Sequence, residues 1–399
     1  MSTESRIPSL SIDPFSGGYF ADMHRYHEEM RETAPVFYLD VYGVYGIARH
    51  ADVHAALRNW RTFCSGRGVG IEDYASAKRW REPMKLLETD PPLHTRTRTV
   101  LGEVLSRQAL VRLKDDFQAH ADRLVDELVQ KRVIDGVRDL AQTFPLHVFP
   151  DAVGIPDDGR QNLLPFGDMV LNSFGPRNAI FEESAMNAVP LVSWINAQCA
   201  RDRLRPGGFG AQVWDAFDAG RIDAEEAHAL VRAMLTAGLD TTVGGLANAL
   251  YAFATHTGQW GAVRENPQLL LPAFDEVLRW ETPVQNFFRT TTEPVSVSGM
   301  EVPEGQKVLL FLGAANRDHR QYPKPEAFDV RRRASAHVAF GMGIHGCVGQ
   351  FVARLEAEVV FRALAKRVSG IRLAGDPVWR RNNTLRTFAS LPVELLPAA

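Results

Sequence analysis

Cysteine is scarce in this chain of 399 residues: Cys64, Cys199 and Cys347 form no C-x-x-C pair and no zinc-type spacing, which excludes a disulfide scaffold and a structural zinc module. Long apolar runs are missing as well. No uncharged stretch approaches the roughly 20 residues that cross a bilayer, and Glu4, Arg6 and Pro8 stand where an export signal needs an unbroken hydrophobic segment. The expected location is therefore the cytoplasm, with no membrane partner. Neither sign of charge predominates: 45 Lys and Arg face 48 Asp and Glu, so no global field favours nucleic acid or an anionic surface. Repeats, low-complexity tracts and Ser/Gly-rich linkers are absent, and nothing divides the chain into separately folding parts. One large domain over residues 1–399 is expected, with a disordered or extended N-terminus over about residues 1–12.

What is present is a globular composition, 45% hydrophobic, enough for a substantial core. Helical periodicity runs through residues 51–59, 107–132, 190–204, 224–254, 267–280 and 346–368. Stretches rich in β-formers and punctuated by Gly and Pro, 36–48, 295–302 and 306–312, read as strands and hairpins of a small sheet. Residues 313–335 are polar, carry proline and are long for a connection, as expected of a meandering segment held by its packing. The expected fold class is mostly α with a minor β region.

A lone cysteine ahead of a helix is by default a small buried hydrophobe. Cys347 has neighbours that argue otherwise, Phe340-Gly-Met-Gly-Ile-His-Gly-Cys-Val-Gly349. Gly341 and Gly343 permit conformations and close approaches that a Cβ forbids, as a loop pressed against a flat macrocycle requires, and Gly349 and Ala353 keep the following helix thin. A thiolate ligand gives iron the electron density that favours O–O cleavage, and coordination drives the thiol's deprotonation. The rival reading, a catalytic cysteine with His345 as its base, accounts less well for the glycines. The string F-G-x-G-x-H-x-C-x-G-x-x-x-A-R, from Phe340 to Arg354, resembles the haem-binding signature of the cytochrome P450 family. The resemblance implies haem b, with Cys347 as axial ligand, Phe340 packed by the sulfur and His345 reaching a propionate.

Three further features fall in the order the family requires. Glu276 and Arg279 can meet on one helix face; at a surface such a pair contributes little, but here it resembles the family's structural E-x-x-R, with Arg331 as the candidate third member. Burying two propionates calls for donors of opposite charge. His94 and Arg98 in Asp90-Pro-Pro-Leu-His-Thr-Arg-Thr-Arg98, and Arg289 in Phe287-Phe-Arg-Thr-Thr-Thr292, resemble the propionate-binding segments, although each alone would read as a solvated charge. The string Arg232-Ala-Met-Leu-Thr-Ala-Gly-Leu-Asp-Thr-Thr242 places polar groups inside an apolar helical run, where they need partners. One local reading makes Asp240 the N-cap of a new helix after Gly238. The string also resembles the family's oxygen-binding motif, with Ala233, Ala237 and Thr241 on one stripe. By that resemblance Thr241 hydrogen-bonds bound oxygen, partly through water, and Asp240 relays protons from solvent.

The resemblance covers nearly the whole chain and is closest to bacterial members that oxidise para-substituted benzoates, often by O-demethylating 4-methoxybenzoate. Asp13-Pro-Phe15, Arg67-Gly-Val-Gly70, Phe174-Gly-Pro176, Pro206-Gly-Gly-Phe-Gly210 and Asn382-Asn-Thr-Leu-Arg386 are among the similar stretches. Those relatives hold the carboxylate with an arginine in W-R-x-P-S and with serines in R-S-x-x-S-A-G. Here Trp80 and Arg81 are kept and Met84 replaces the serine; Arg232 remains, while Ala233 and Thr236 replace the other two serines. Each charge-assisted bond not replaced costs roughly 1.5–3 kcal/mol; Thr236 could restore one, Met84 and Ala233 none. Phe174 and Phe287 read as ring contacts or as ordinary core, Ala237 as a small wall residue, and Leu171 stands where the relatives have an aromatic, widening the pocket.

The expected activity is hydroxylation or O-demethylation of a small para-substituted aromatic acid. The alternatives are the same chemistry on a neutral phenolic ether or guaiacol-like alkylphenol and, in a different class, a peroxygenase or ligand-sensing haem protein, against which the Asp240-Thr241 pair counts. The implied partners are O2 and an iron–sulfur ferredoxin fed by an NADH-dependent reductase. The ferredoxin is expected to dock near Cys347, where Arg331-Arg-Arg333 or neighbouring basic residues could meet it.

Overall fold

The computed structural model describes residues 7–76 and 82–398. Its centre is the helix Asp240–Thr255, in which thirteen of sixteen residues are buried. A helix apolar on every side has to be packed on every side, and this one touches the helix Leu270–Trp280, the strand Val368–Leu373 and the π-helical turn Gly136–Gln142. The helix Gln350–Arg367 packs on Lys114–Lys131 and on Leu270–Trp280, so the element that follows Cys347 is anchored in the same core.

Strands are peripheral. A six-stranded sheet runs in the order Ser9–Leu10, Phe37–Leu39, Val44–Ile47, Lys307–Phe311, Asn286–Thr291, Phe63–Cys64, and its fifth strand carries Arg289 in register with Val308. The hairpin Val295–Val297/Met300–Val302 turns at Ser298 and Gly299, both with positive φ. The expected extended N-terminus takes the form of Ser9–Leu10, paired parallel to Phe37–Leu39; residues 1–6 lie outside the described residues. No helix among the described residues is long and apolar enough to cross a membrane.

Several helical stretches are more broken than their periodicity suggests. Residues 107–132 divide into Arg107–Val111 and Lys114–Lys131. In 190–204 only Val192–Gln198 is α-helical, and 267–280 opens with the 3-10 turn Pro267–Leu269 before Leu270–Trp280. Most relevant to the site, 224–254 is two helices, Ala224–Ala237 and Asp240–Thr255. The first begins on a capping box: the Asp223 side chain accepts the Glu226 N–H at 2.8 Å, and the Glu226 carboxylate accepts the Asp223 N–H at 2.9 Å. At the break a Cβ on Gly238 would lie 2.4 Å from the Phe149 ring. Asp240 opens the second helix as its first residue; the capping position is held by Leu239.

Residues 313–335 are held by a buried ion-pair network. Arg279 and Glu276, both fully buried, make a two-pronged pair at 2.7 and 2.8 Å, and Arg279 also donates to the carbonyls of Asn316, Pro325 and Ala327. The third arginine is Arg332, whose Nε lies 3.1 Å from Glu276 Oε1. The expectation of Arg331 is corrected by one residue: Arg331 is exposed, and its N–H bonds the Asp329 carboxylate in a turn that aims the next side chain inward.

Candidate active site

A cavity of about 250 Å³ lies between the cysteine loop and the break at Gly238. At its floor the Cys347 N–H donates to the Phe340 carbonyl at 2.7 Å, and the N–H groups of Gly349 and Gln350, at the start of the Gln350–Arg367 helix, face the sulfur. Burial pushes the thiol up, while the Gly349 N–H and the guanidiniums of Arg98 and Arg354 pull it down; a helix N-terminus and two cations favour thiolate. Gly343 has φ +65, and a Cβ there would sit 2.9 Å from the Leu57 carbonyl, so the loop can approach the end of the helix His50–Arg58 only with glycine. Phe340 lies under the Arg354 guanidinium at 4.5 Å, and Asp275 holds Arg354 at 3.0 and 3.2 Å.

One end of the cavity is cationic. Arg98 comes from the helix Leu93–Val104, Arg289 from the sheet and His345 from the cysteine loop, and all three line the cavity. Arg289 is buried, its hydrogen bond among the described residues goes to the Phe288 carbonyl, and burial lowers it to about 10 against the pull of Asp90. His94 is not a lining residue; its ring packs 4.4 Å from that of His345, and burial lowers it to about 4. Nε2 of both histidines is buried without a hydrogen-bond partner, His345 standing 3.7 Å from Asp90. Two arginines without a carboxylate partner among the described residues, two orphaned imidazole nitrogens and a thiol at a helix N-terminus form the donor set for a flat dianionic macrocycle whose metal takes a sulfur ligand. The residues present fit haem.

On the opposite wall, Thr241 donates to the Ala237 carbonyl at 2.9 Å and faces the cavity with Ala233 and Ala237. Asp240 stands behind it, fully buried, with neither carboxylate oxygen hydrogen-bonded. Arg380 lies 3.7 Å from Asp240 and 2.8 Å from Asp168. Burial pushes Asp240 up to about 7, Arg380 opposing and Asp168 reinforcing. The fit is tight: a Cβ on Gly167 would lie 2.0 Å from Asp240 Oδ2.

Of the residues expected to touch substrate, Met84, Leu171, Phe174, Ala233, Thr236, Ala237 and Phe287 line the cavity. The Phe174 and Phe287 rings meet edge to face at 5.6 Å. Thr236 gives its proton to the Arg232 carbonyl at 2.8 Å, which leaves its oxygen as an acceptor toward the cavity. Arg232 is not among the lining residues; its charge acts on the buried thiol of Cys199, because the helix turns position 232 away while 233, 236 and 237 face inward. Arg81, with Trp80, lies outside the described residues. Sequence reasoning missed Leu86, Leu87, Leu101, Val170, Leu278 and Val284, all in the lining, since a leucine facing a cavity carries the same signal as one facing the core.

A family profile described as Cytochrome P450 matches residues 215–369, the span that holds the Gly238 break, the Glu276/Arg279 pair and the cysteine loop. Over 393 residues the chain is 50% identical to "Cytochrome p450 CYP199A2" of Rhodopseudomonas palustris, covering 98% of this chain and 95% of that protein. It is 31% identical to 6-deoxyerythronolide B hydroxylase of Saccharopolyspora erythraea, over 98% of this chain and 99% of the relative. The solved structure of Cytochrome P450 CYP109Q5 from Chondromyces apiculatus superimposes with a TM-score of 0.82 at 27% identity, over 98% of this chain and all of that one. A thiol floor, a cationic end with orphaned donors and near-complete alignment with these relatives lead to one assignment: the chain belongs to the cytochrome P450 family, whose members carry haem b.

Proposed function

We propose that this monooxygenase hydroxylates or O-demethylates the para substituent of a small aromatic acid such as 4-methoxybenzoate, with electrons delivered by an iron–sulfur ferredoxin. The observation that carries the reading is the apolar lining of the cavity that Cys347 shares, where the Phe174/Phe287 edge-to-face pair stands with Leu171 and Met84 and offers an aromatic ring its contacts. Bound haem supplies dioxygen activation; the chain supplies position, protons and a dry pocket. In this reading Cys347 ligates the iron, Arg98, Arg289 and His345 take the propionates with His94 braced behind them, and Asp240 and Thr241 hand protons toward the cavity. The ferredoxin meets the cysteine side, where Arg331 and Arg333 are exposed while Arg332 is committed to Glu276.

One observation favours a second reading, a neutral phenolic ether or alkylphenol. Thr236 has spent its proton on a backbone carbonyl, and Met84 and Ala233 offer no donor, so the polar capacity left on that wall accepts a hydrogen bond, as a phenol would require. Titrating the ferric protein with 4-methoxybenzoate and with 4-methylguaiacol, while following the Soret band, separates the two. The acid reading expects 4-methoxybenzoate to shift the band and Arg81→Ala to weaken its binding about tenfold or more. A shift with 4-methylguaiacol alone, indifferent to Arg81→Ala, establishes the phenolic reading instead, and silence with both ligands overturns the aromatic assignment.

A further inference from the structure

Two stretches beside the cavity, residues 67–74 and 84–88, are held by two buried charges that lie outside the chemistry described above, Glu88 joining the one to the other and Lys307 holding residues 67–70. Glu88 is 2% exposed. Its Oε1 accepts the Val69 N–H at 2.9 Å, its Oε2 accepts the Tyr74 hydroxyl at 2.9 Å and the Met84 N–H at 3.0 Å, and its own N–H donates to the Met84 carbonyl at 2.8 Å. Lys307, also buried, donates from Nζ to the carbonyls of Arg67, Gly68 and Gly70 at 3.0, 2.8 and 3.1 Å, using all three protons on one bend of the chain. Gly68 in that bend has φ +97.

The residues so held are the ones that shape the cavity. Val69 is fully buried in a small cluster with Leu171, Phe174 and Leu385, and Met84, Leu87 and Phe287 pack against it. The Ile71 N–H donates to the Phe174 carbonyl at 2.8 Å, and a Cβ on Gly70 would lie 2.9 Å from the Phe174 backbone. Displacing the 67–74 bend therefore moves Phe174, and displacing residue 84 moves Met84, another lining side chain packed on the same cluster. Burying a carboxylate and an ammonium is costly, and ordinary loop anchoring needs neither. What charges add is strong bonds to several backbone groups at once, each in a fixed direction. Burial lowers Lys307 to about 8, with Asp73, Glu88 and Cys64 supporting its charge and Arg67 opposing it, so the ammonium form predominates at neutral pH.

We propose that Glu88 and Lys307 are positioning residues that set the width of the substrate side of the cavity, Glu88 by tying Val69 to Met84 and Lys307 by fixing the bend that carries Val69. The proposal deepens the reading of the cavity as an aromatic-substrate site and rests on it.

Haem-loaded Glu88→Gln tests it. An amide has one acceptor, so either the Val69 N–H or the Tyr74 O–H and Met84 N–H must face its NH2, and one end of the tie opens. Imidazole and 4-phenylimidazole both bind iron through nitrogen and differ by the ring that has to lie in the cavity. The expected result is a loss of about tenfold in 4-phenylimidazole affinity relative to imidazole, with faster hydrogen exchange in residues 69–71 and 84–87 and none in the Gln350–Arg367 helix. Equal weakening of both azoles, or an unchanged ratio with unchanged exchange, overturns the proposal. Tyr74→Phe removes one donor and leaves both backbone bonds; it is expected to lower the same ratio about threefold, and an unchanged ratio there counts against the proposal even if Glu88→Gln does not fold. Because the azole ratio involves neither 4-methoxybenzoate nor 4-methylguaiacol, the clasp can fail while the substrate assignment stands, and the reverse.

Discussion

Asp240→Asn is expected to make the haem-loaded protein more stable at pH 8 and turnover slower by about a hundredfold or more. The stability half follows from the Asp240 carboxyl being pushed from 3.8 up to about 7 by burial. A carboxyl whose folded pKa is raised holds its proton in the folded state between pH 4 and 7 while the unfolded chain has lost it. Stability therefore falls as pH rises through that window, and above pH 7 the whole deficit is present. At roughly 1.4 kcal/mol per pH unit the deficit is about 4 kcal/mol, which corresponds in a chain of this size to roughly 5 °C in Tm. Asparagine is neutral at every pH and removes it. Melting curves of the two proteins should coincide near pH 4, separate as pH rises to 7 and stay apart by a constant amount above it; a difference independent of pH would mean that Asp240 is not held in a desolvated site.

The activity half of that prediction uses the same burial. A carboxyl near pKa 7 is divided between its two forms at working pH, the condition under which a proton is both taken up and released readily. Arg380 stands 3.7 Å from Asp240 and 2.8 Å from Asp168 and is itself partly exposed, so under the proposed reading this is the side from which protons would reach Asp240 and then the Thr241 side of the helix break. Asparagine keeps the shape and cannot carry a proton, and loss of a positioned acid–base group typically costs about 10²-fold or more. The stabilised variant being the slower one is the signature to look for: a group kept at a stability cost because the reaction needs it.

How much of the site is legible in the sequence depends on whether a residue's constraint is local. The loop from Phe340 to Cys347 is readable because glycine, histidine and cysteine at this fixed spacing suit few structural roles, and the positive φ of Gly341 and Gly343 bears out the conformational part of that reading. Arg332 is missed in favour of Arg331 because three consecutive arginines are equivalent in sequence, and the Asp329 turn that selects the middle one is a tertiary fact. The helix Thr143–Val153 is absent from the periodicity reading: Pro145 and Pro150 advise against it, yet it continues the π-helical turn Gly136–Gln142 and both prolines are buried, so packing carries them. The break at Gly238 is visible as a local alternative but not as a necessity, and what bars a side chain at position 238, the Phe149 ring, comes from another helix and cannot be read locally. Arg232 is placed at the cavity by resemblance, and helical phase turns it away.

Arg279→Leu is expected to leave little folded protein, Arg332→Gln to give a measurably weakened one and Arg331→Gln to change nothing. The order follows from what each removal strands. Without Arg279 a fully buried Glu276 keeps one bond from Arg332 and one from the Asp329 N–H, the carbonyls of Asn316 and Pro325 lose the arginine donor, and that of Ala327 keeps only Arg332. Breaking a buried pair from one side costs about 3–5 kcal/mol, against a total stability of only about 5–15 kcal/mol. Arg332 is less buried, and its loss removes one charge-assisted bond and contacts to the Pro323 and Lys324 carbonyls, a cost of about 1–3 kcal/mol. Arg331 faces solvent, where substitution stays within about 0.5 kcal/mol. Denaturant melts of the three proteins and the fraction recovered with haem bound give the ranking directly. The second readout bears on function, because Asn316, besides receiving Arg279 on its carbonyl, accepts the Val338 N–H at 2.8 Å on its side chain, two residues before Phe340. A network that merely stabilised the fold would lower the melting point and leave haem retention in the surviving protein unchanged. One that holds residues 313–335 so that the cysteine loop can close should lose haem from Arg332→Gln at temperatures where the helices remain intact.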